Sequence, residues 1–218
     1  MNVKVVDVSE VEIMGVHMVL LPEAAVYLPS RKELLVADLH LGKVEHFRKH
    51  GIAIPGEVSL TDIEVLHTLI CTYKPDRVVF LGDLFHSEHN GSWDVFDAMM
   101  LQFQHIEFHL VVGNHDILEK RYYMNLHLSE HYPVGNIMCT HEPLDVHIDE
   151  RYNLCGHIHP AVRLKGKGKQ DIRLPCFFFG SETGILPAFG SFTGLHTLKP
   201  LQDDKIFVIA DQRVARVH

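Results

Sequence analysis

Five short groups of side chains that can bind metal ions occur in order along this chain of 218 residues. The groups are Asp38 with His40, Asp83, Asn114 with His115, His141, and His157 with His159. Each group lies at the end of an apolar, β-branched run with a glycine or polar turn, as in LLVADLHLG and RVVFLGDLFH. Because strands bring their ends to one edge of a sheet, we expect these side chains to converge.

This mixture of carboxylates, imidazoles and an amide is typical of a site for two divalent metal ions. Carboxylates hold two cations close together, and neutral nitrogen and amide ligands complete the coordination without cancelling the charge. If Asp83 bridges, each ion receives about four protein ligands, which leaves room for water and substrate. The set favours Mn²⁺, with Fe or Zn as alternatives, over calcium or a closed structural zinc site. The predicted ligands are Asp38, His40, Asp83, Asn114, His141, His157 and His159.

Any single group is weak on its own, because the chain contains 18 histidines. Asp145 and His147 have the same spacing as Asp38 and His40, but no strand-like run precedes them and no glycine turn follows. We therefore predict that Asp145 and His147 belong to a surface loop and not to the metal site.

Two such cations would allow water to attack a phosphate ester near neutral pH, because they lower the pKa of water and neutralise charge on the phosphoryl oxygens. His115 follows Asn114 directly, so we expect it to protonate the leaving oxygen. The alternative is that His115 only stabilises its loop by a hydrogen bond to Asp38 or Asp116. Asp116 is predicted to orient His115 for catalysis or to cap a helix that begins there.

The segments around these groups predict an α/β protein. Strand-like runs separated by turns form the N-terminal third, which indicates a β-meander leading to the first group. A helix is expected from Thr61, where Thr61 and Glu64 have the spacing of a capping box, until Pro75 ends it. A second helix with an apolar face is expected over residues 92–104, and the later part of the chain has mainly strand-like runs. We predict two β-sheets that form a sandwich flanked by helices.

Composition limits the class of protein. With 46% hydrophobic residues, the chain can form one large core, and we predict a single domain over residues 1–218. No run approaches the roughly 18 apolar residues of a membrane span, and the N-terminus lacks the pattern of a signal peptide. Four cysteines without a C-x-x-C pair indicate reduced, packed thiols, so a cytoplasmic protein without membrane attachment is expected. A net charge of −8 argues against a generally basic nucleic-acid binder, although bound cations would return positive charge to the site.

The motifs D-L-H, G-D-x-x-H, G-N-H-D, T-H and G-H-x-H run from Asp38 to His159 and resemble the calcineurin-like metallophosphoesterase superfamily. The resemblance implies a four-layer fold with metals at the carboxyl ends of strands. It also implies that Asp83 bridges two ions, with one triplet for each: Asp38, His40 and His159 for one, and Asn114, His141 and His157 for the other.

The sequence around the motifs, including ADLHLGKVEHFRKHGIAIP and LPAFGSFTG, is similar to that of the bacterial DNA ligase-associated phosphoesterases. That resemblance implies a DNA-damage-response nuclease with a functional link to a DNA ligase and a helicase. G-D-L-F-H-S also resembles the nuclease subunit of the double-strand-break repair complex, which implies that His86 contacts the scissile phosphate. A supporting contact to a metal ligand is the alternative for His86. Lys43 and Arg48 are predicted to contact substrate phosphates, with a solvated helix face as the alternative.

Three functions are compatible with these observations. The leading hypothesis is a metal-dependent phosphodiesterase that acts on nucleic acid, with single-stranded or damaged DNA as substrate. The second keeps the chemistry but takes a small phosphodiester or a cyclic nucleotide. The third is a scaffold without catalysis, which is disfavoured because such relatives usually have broken ligand sets.

Overall fold

Two mixed β-sheets pack face to face in the computed structural model, which describes residues 8–43, 58–86, 91–146, 150–165 and 171–218. The strands of the first sheet are β1 (Ser9–Ile13), β2 (Val16–Leu21), β3 (Ala25–Leu28), β4 (Glu33–Val36), β5 (Arg77–Leu81), β6 (Glu107–Val111) and β7 (His127–Ser129). Those of the second sheet are β8 (Tyr132–Val134), β9 (Ile137–Cys139), β10 (Tyr152–Cys155), β11 (Pro160–Lys165), β12 (Asp171–Phe179), β13 (Thr183–Ile185), β14 (His196–Thr197), β15 (Lys205–Ala210) and β16 (Arg213–Arg216). The described α-helices are α1 (Val58–Tyr73) and α2 (Gly91–Gln102), and a 3-10 helix covers Lys120–Tyr123.

The first sheet changes direction at β4. Strands β1 to β4 pair antiparallel, which confirms the expected meander, whereas β4, β5, β6 and β7 pair parallel in sequence order. The second sheet has the spatial order β14-β11-β12-β13-β10-β9-β8, and β15 with β16 joins it beside β12. Its β9 and β10 also pair parallel. Parallel strands place their carboxyl ends at one edge, so the topology prepares a common rim for the loops that follow them.

The core has two main parts because the residues of a strand point alternately to its two faces. On β4, Leu34 and Val36 belong to the cluster that includes both described α-helices. Leu35 and the adjoining Ala37 belong to the cluster between the two sheets. The described layers are therefore helices, first sheet and second sheet, which confirms the two-sheet α/β sandwich. The described residues place no helix on the outer face of the second sheet, where the four-layer arrangement would have one.

The two helices test the predicted periodicity. The apolar face of α2 is buried as expected, and its buried residues include Trp93, Phe96, Met99 and Met100. Helix α1 already includes Val58, so Thr61 lies inside it and the capping-box prediction is wrong. Side-chain spacing alone does not distinguish a cap from a residue in the first turns, because packing against the sheet can extend a helix beyond a local signal.

The structure agrees in part with the prediction of reduced, packed thiols. All four cysteines are free, and Cys139, Cys155 and Cys176 are buried, but Cys71 on α1 is exposed, so the prediction of a packed thiol is wrong there. Burial raises the pKa of the Cys139 thiol to about 12, so that thiol remains protonated. None of the described helices has the length and apolar character needed to cross a membrane.

Candidate metal centre

The candidate ligands converge at the rim formed by parallel strand ends of both sheets. Asp38 comes shortly after β4, Asp83 after β5 and Asn114 after β6. His141 and His157 follow β9 and β10 of the second sheet in the same way. The rim therefore collects side chains that are far apart in sequence, as the strand-end pattern predicts.

Two groups of three potential ligands form at this rim. Within each group, the ligand atoms lie within 4.8 Å of one another: Asp38, His40 and His159 in the first group, and Asp83, His141 and His157 in the second. Asn114 adjoins the second group, with its Oδ1 at 2.9 Å from Nε2 of His141. All seven residues singled out in the sequence are thus close together.

Asp83 lies between the two groups. Its Oδ2 is 3.7 Å from Nε2 of His40, and its Oδ1 is 3.4 Å from Nε2 of His141. The two oxygens of one carboxylate therefore face different groups. Such an arrangement can hold two cations close together.

The second group brings acceptor atoms together. Nδ1 of His141 lies 3.1 Å from the carbonyl oxygen of Leu81, to which it donates, so a lone pair remains on Nε2. This Nε2 is 2.9 Å from Oδ1 of Asn114 and 3.1 Å from Nδ1 of His157. In one tautomer, Nδ1 of His157 can donate to this Nε2, but Oδ1 of Asn114 can only accept. Two acceptors 2.9 Å apart are unfavourable unless a cation lies beside them, so this donor set fits a divalent metal.

His40 in the first group is prepared in a similar way. Burial lowers the pKa of His40 to about 2, and the charges of Lys43 and His159 act in the same direction. The ring is therefore neutral, which is the form that binds a metal. Its Nδ1 is buried and has no hydrogen-bond partner within the described ranges. The first group also fits a cation.

The backbone of the candidate ligands is strained. Five of the seven have positive φ: Asp38 (53°), His40 (49°), Asp83 (50°), His157 (65°) and His159 (51°). Left-handed backbone costs a residue other than glycine about 1–3 kcal/mol and persists only where the surrounding structure imposes it. Strain of this kind is concentrated at functional sites, where it directs side chains towards a common point.

Close backbone contacts impose this geometry. The amide of His157 donates to both carboxylate oxygens of Asp38, at 2.8 and 3.1 Å, and so connects the second sheet to the first. The amide of Asp38 donates to the carbonyl oxygen of Gly82 at 3.3 Å. A Cβ atom at Gly82 would lie 2.1 Å from Nδ1 of His141, so only glycine allows that ring to approach.

His86 and His115 form a stacked pair beside the first group. Their ring centroids are 5.4 Å apart with an interplanar angle of 24°, and both rings lie edge-on to His40. The His115 ring is half-buried. Within the described part of the chain, it makes no hydrogen bond to Asp38 or Asp116, so the loop-stabilising alternative is not observed. The stacked pair therefore borders the first group on the side of the His40 ring.

Asp116 has a different position from the one expected. Its carboxylate accepts hydrogen bonds from the amides of Leu84 (3.0 Å), Phe85 (3.3 Å) and Gly113 (2.9 Å). Burial raises the pKa of Asp116 to about 6, and the hydrogen bonds oppose that rise. No helix begins at Asp116, since the next helical segment is the 3-10 helix, and the helix-cap prediction is wrong. The turn after β6 uses this carboxylate to connect the Asp83 and Asn114 loops.

Lys43 is half-buried at the edge of the site. Burial lowers the pKa of Lys43, and the charges of Asp83 and Asp38 oppose that fall. Lys43 lines the same small crevice as His40. Arg48, the other predicted phosphate contact, lies outside the described residues.

A cleft of about 580 Å³ adjoins Asn114 and His141. Three exposed carboxylates line it and form no ion pair with a described cation: Glu130, Glu142 and Asp145. Asp145 lies outside both ligand groups in irregular, exposed structure, which confirms the surface-loop prediction for this residue. His147 lies outside the described ranges.

Comparison with known proteins identifies a family and solved structures of similar fold. The family model described as calcineurin-like phosphoesterase matches residues 33–181. The Pseudomonas putida nuclease MPE has a TM-score of 0.79 and 23% identity, over 97% of this chain and 100% of that one. The Escherichia coli phosphoesterase YfcE has a TM-score of 0.45 and 16% identity, over 85% of this chain and 97% of that one. No curated protein matches the chain.

Proposed function

Since this chain belongs to the calcineurin-like phosphoesterases, which are metal-dependent hydrolases, we propose that it is a two-metal phosphodiesterase that cleaves DNA. The observation that carries the proposal is the position of Asp83, whose two oxygens face separate ligand groups. A hydrolase with one metal would need only one such group.

The residues at the rim would bind two ions, with a separate set of ligands for each. When bound, two divalent cations lower the pKa of water and neutralise charge on the phosphoryl oxygens. Mn²⁺ fits the mixed oxygen and nitrogen donors, and Fe or Zn also fits them. The proposed ligands are Asp38, His40 and His159 for one ion, Asn114, His141 and His157 for the other, and Asp83 for both.

Other side chains would act directly on the substrate. The ring of His115 is half-buried and not hydrogen-bonded to the nearby carboxylates, so it can donate a proton to the leaving oxygen. His86, stacked on His115, would hydrogen-bond a phosphoryl oxygen. Lys43 would contribute positive charge, as would Arg48 if it extends to the same side. Asp116 would act indirectly, by connecting two ligand loops.

The role of His115 has a direct test. Replacing His115 with alanine should reduce turnover by roughly 10²–10⁴-fold, the usual contribution of a general acid. The bound metal should remain, because His115 is not a proposed ligand. Metal content by atomic emission and turnover on bis-p-nitrophenyl phosphate measure both effects. A parallel loss of metal and turnover would remove His115 from the acid role.

Two observations support DNA as substrate. One solved structure with a similar fold over nearly the whole chain is that of a nuclease, which favours a nucleic-acid substrate. The segments ADLHLGKVEHFRKHGIAIP and LPAFGSFTG are similar to DNA ligase-associated phosphoesterases. The protein would then be a single-domain, cytoplasmic nuclease of the DNA damage response, with a functional link to a DNA ligase and a helicase. Four free cysteines suit a reducing compartment.

The acidic cleft supports the second candidate, a small phosphodiester or cyclic nucleotide. Its volume is in the usual range for a small-molecule site. Three carboxylates in its wall would repel further phosphates of a polynucleotide, whereas the uncharged part of a small diester could enter.

Activity on a panel of substrates separates the two candidates. The manganese-loaded protein is assayed on single-stranded DNA, duplex DNA, RNA and cyclic nucleotides, with Asp83→Ala as the control. Highest kcat/KM on single-stranded DNA is the expected result. Highest kcat/KM on cyclic nucleotides would replace DNA with the second candidate, and equal activity of the Asp83→Ala protein would contradict the proposed site.

A further inference from the structure

The segment after β13 returns from the second sheet to the first ligand loop. Its Phe189 amide donates to the carbonyl oxygen of Ala37 at 2.8 Å, and its Gly190 amide donates to that of Asp38 at 3.1 Å. This segment, residues 188–193, is part of the LPAFGSFTG sequence and has no role in the proposed chemistry. We refer to it as the brace segment. It holds the main chain at Asp38, which is one of the strained positions.

The contact depends on glycine at position 190. A Cβ atom there would lie 2.4 Å from the carbonyl oxygen of Leu39 and 3.1 Å from that of Asp38. Since these neighbours are backbone atoms, they cannot move aside without changing the ligand loop. Gly190, His40 and Asp62 also line one small crevice, so the brace segment adjoins the first group directly.

Helix α1 anchors the brace segment through one carboxylate. The Ser191 amide donates to Oδ2 and Oδ1 of Asp62 at 3.1 and 3.3 Å, and the Ser191 hydroxyl donates a further short hydrogen bond to Oδ1. Burial raises the pKa of Asp62, and the hydrogen bonds from Ser191 oppose that rise. Asp62 forms no ion pair with any described residue, so these three hydrogen bonds account for its orientation.

We propose that Asp62 and Ser191 are positioning residues for the first metal ion. The contacts run from Asp62 through Ser191 and Gly190 to the backbone of Asp38, and they keep the ligand loop in its left-handed conformation. The contacts of Asp38 with Gly82 and His157 would remain without them, but the turn at Asp38 and His40 would lose part of its restraint, so that these side chains shift relative to His159. In the part of the chain that the structure describes, the brace segment makes no hydrogen bond to the second group, so its direct effect is on the first.

Manganese titration of the full chain tests the proposal, which rests on the proposed two-metal site. Binding is measured by calorimetry and by electron paramagnetic resonance of free Mn²⁺, well below the melting temperature. For Ser191→Ala and Asp62→Ala we expect one of the two binding events to weaken by about 10–100-fold, the usual cost of losing a residue that supports a ligand. The other event should be unchanged. Ser191→Thr keeps the hydroxyl and should restore most of the affinity.

Asp97→Ala is the matched control. Asp97 lies on α2 and accepts a hydrogen bond of 2.6 Å from the Asn125 side chain, so it also connects a helix to a loop. It should leave both manganese affinities as in the unmodified protein. Circular dichroism verifies that each variant is folded.

The possible results are distinct. Lower thermal stability with both manganese affinities retained in Ser191→Ala and Asp62→Ala would make the brace segment purely structural and overturn the proposal. Equal weakening of both events would also overturn it, because the contact is with the first group alone. Failure of the unmodified protein to bind two manganese ions would remove the two-metal site itself, and the positioning role with it.

Discussion

Buried carboxylates lie at both ends of the central strands β4 and β5, but in opposite electrostatic surroundings. Glu33 opens β4 and Arg77 opens β5, whereas Asp38 and Asp83 follow the other ends of the same strands. The exposed fractions of these carboxylate side chains are similar, at 1% for Glu33, 0% for Asp38 and 4% for Asp83. Burial alone therefore does not distinguish the two ends.

At the end where β4 and β5 begin, arginine side chains of the protein supply the positive charge. Arg31 donates to Glu33 through Nε at 2.7 Å and Nη2 at 2.9 Å, and Arg77 donates through Nη1 at 2.7 Å. Tyr132 of the second sheet adds a hydrogen bond of 2.8 Å. Burial raises the pKa of Glu33, but the hydrogen bonds from Arg31, Tyr132 and Arg77, together with the charge of Arg31, outweigh it and lower the pKa. This network connects the two sheets and is complete without a ligand.

At the other end, the described residues supply no arginine. Asp38 and Asp83 face histidine rings and backbone amides, and His40 among those rings is held neutral. Lys43 is the nearby ammonium group, and it is only half-buried. Guanidinium groups therefore make a carboxylate cluster structural, whereas neutral imidazoles leave it in need of external cations.

The largest expected effect concerns the histidine-lined end. Asp83→Ala should reduce turnover by roughly 10³-fold or more, since a metal ion stabilises the transition state by several kcal/mol. The metal-free protein should lose no more than about 1 kcal/mol of stability, the worth of one hydrogen bond. Turnover on bis-p-nitrophenyl phosphate and urea unfolding with chelator measure the two effects. A large loss of metal-free stability would mean that both ends are structural.

The opposite pattern is expected for Glu33→Gln. Removing the charge leaves Arg31 and Tyr132 with a weaker acceptor, and we expect a loss of about 3 kcal/mol, the lower end for a broken buried pair because the arginines are partly exposed. Activity per folded molecule should be unchanged. The control is Glu107→Gln, which removes an exposed partner of the same Arg77 and should have a small effect. Urea unfolding measures the loss of stability in each variant. Similar losses of stability in Glu33→Gln and Glu107→Gln would contradict the role of burial.

Bound metal should stabilise the protein through the histidine-lined end alone. At a manganese concentration about 100-fold above the dissociation constant, the free energy of unfolding should rise by about 2.7 kcal/mol per site. The Glu33→Gln protein should gain as much as the unmodified protein, and Asp83→Ala should gain less. Thermal unfolding with and without chelator provides the measurement. An equal gain in Asp83→Ala would place the bound metal elsewhere.

The smallest effect is a dependence on pH at the arginine-rich end. The pKa of Glu33 is lowered from its ordinary value of 4.5, so its stabilising contribution is complete above that value and is lost as the pH falls through the folded pKa. The stability difference between the unmodified protein and Glu33→Gln should therefore narrow as the pH falls below 4.5. Urea unfolding at a series of pH values with chelator present tests this. A difference that widens towards low pH would reverse the assigned direction.

Much of the fold follows from local patterns. The apolar run in RVVFLGDLFH forms the strand Arg77–Leu81, and the apolar face of α2 is buried. The short strands β7, β8 and β14 were not predicted, since two or three residues carry too little alternation to be recognised. They form because neighbouring strands already present hydrogen-bonding edges.

Residue type and hydrophobic period are local properties, so the amino-acid sequence is enough to identify the side chains that can bind metal and to assign them to strand ends. The packing of the two sheets places Asp83 between the two groups, as the family resemblance implies, and turns Asp116 to backbone amides, which no local pattern indicates. It also decided the contact between Asp62 and Ser191, which are 129 positions apart. Such contacts depend on how the sheets and helices pack, and no spacing within one segment encodes them.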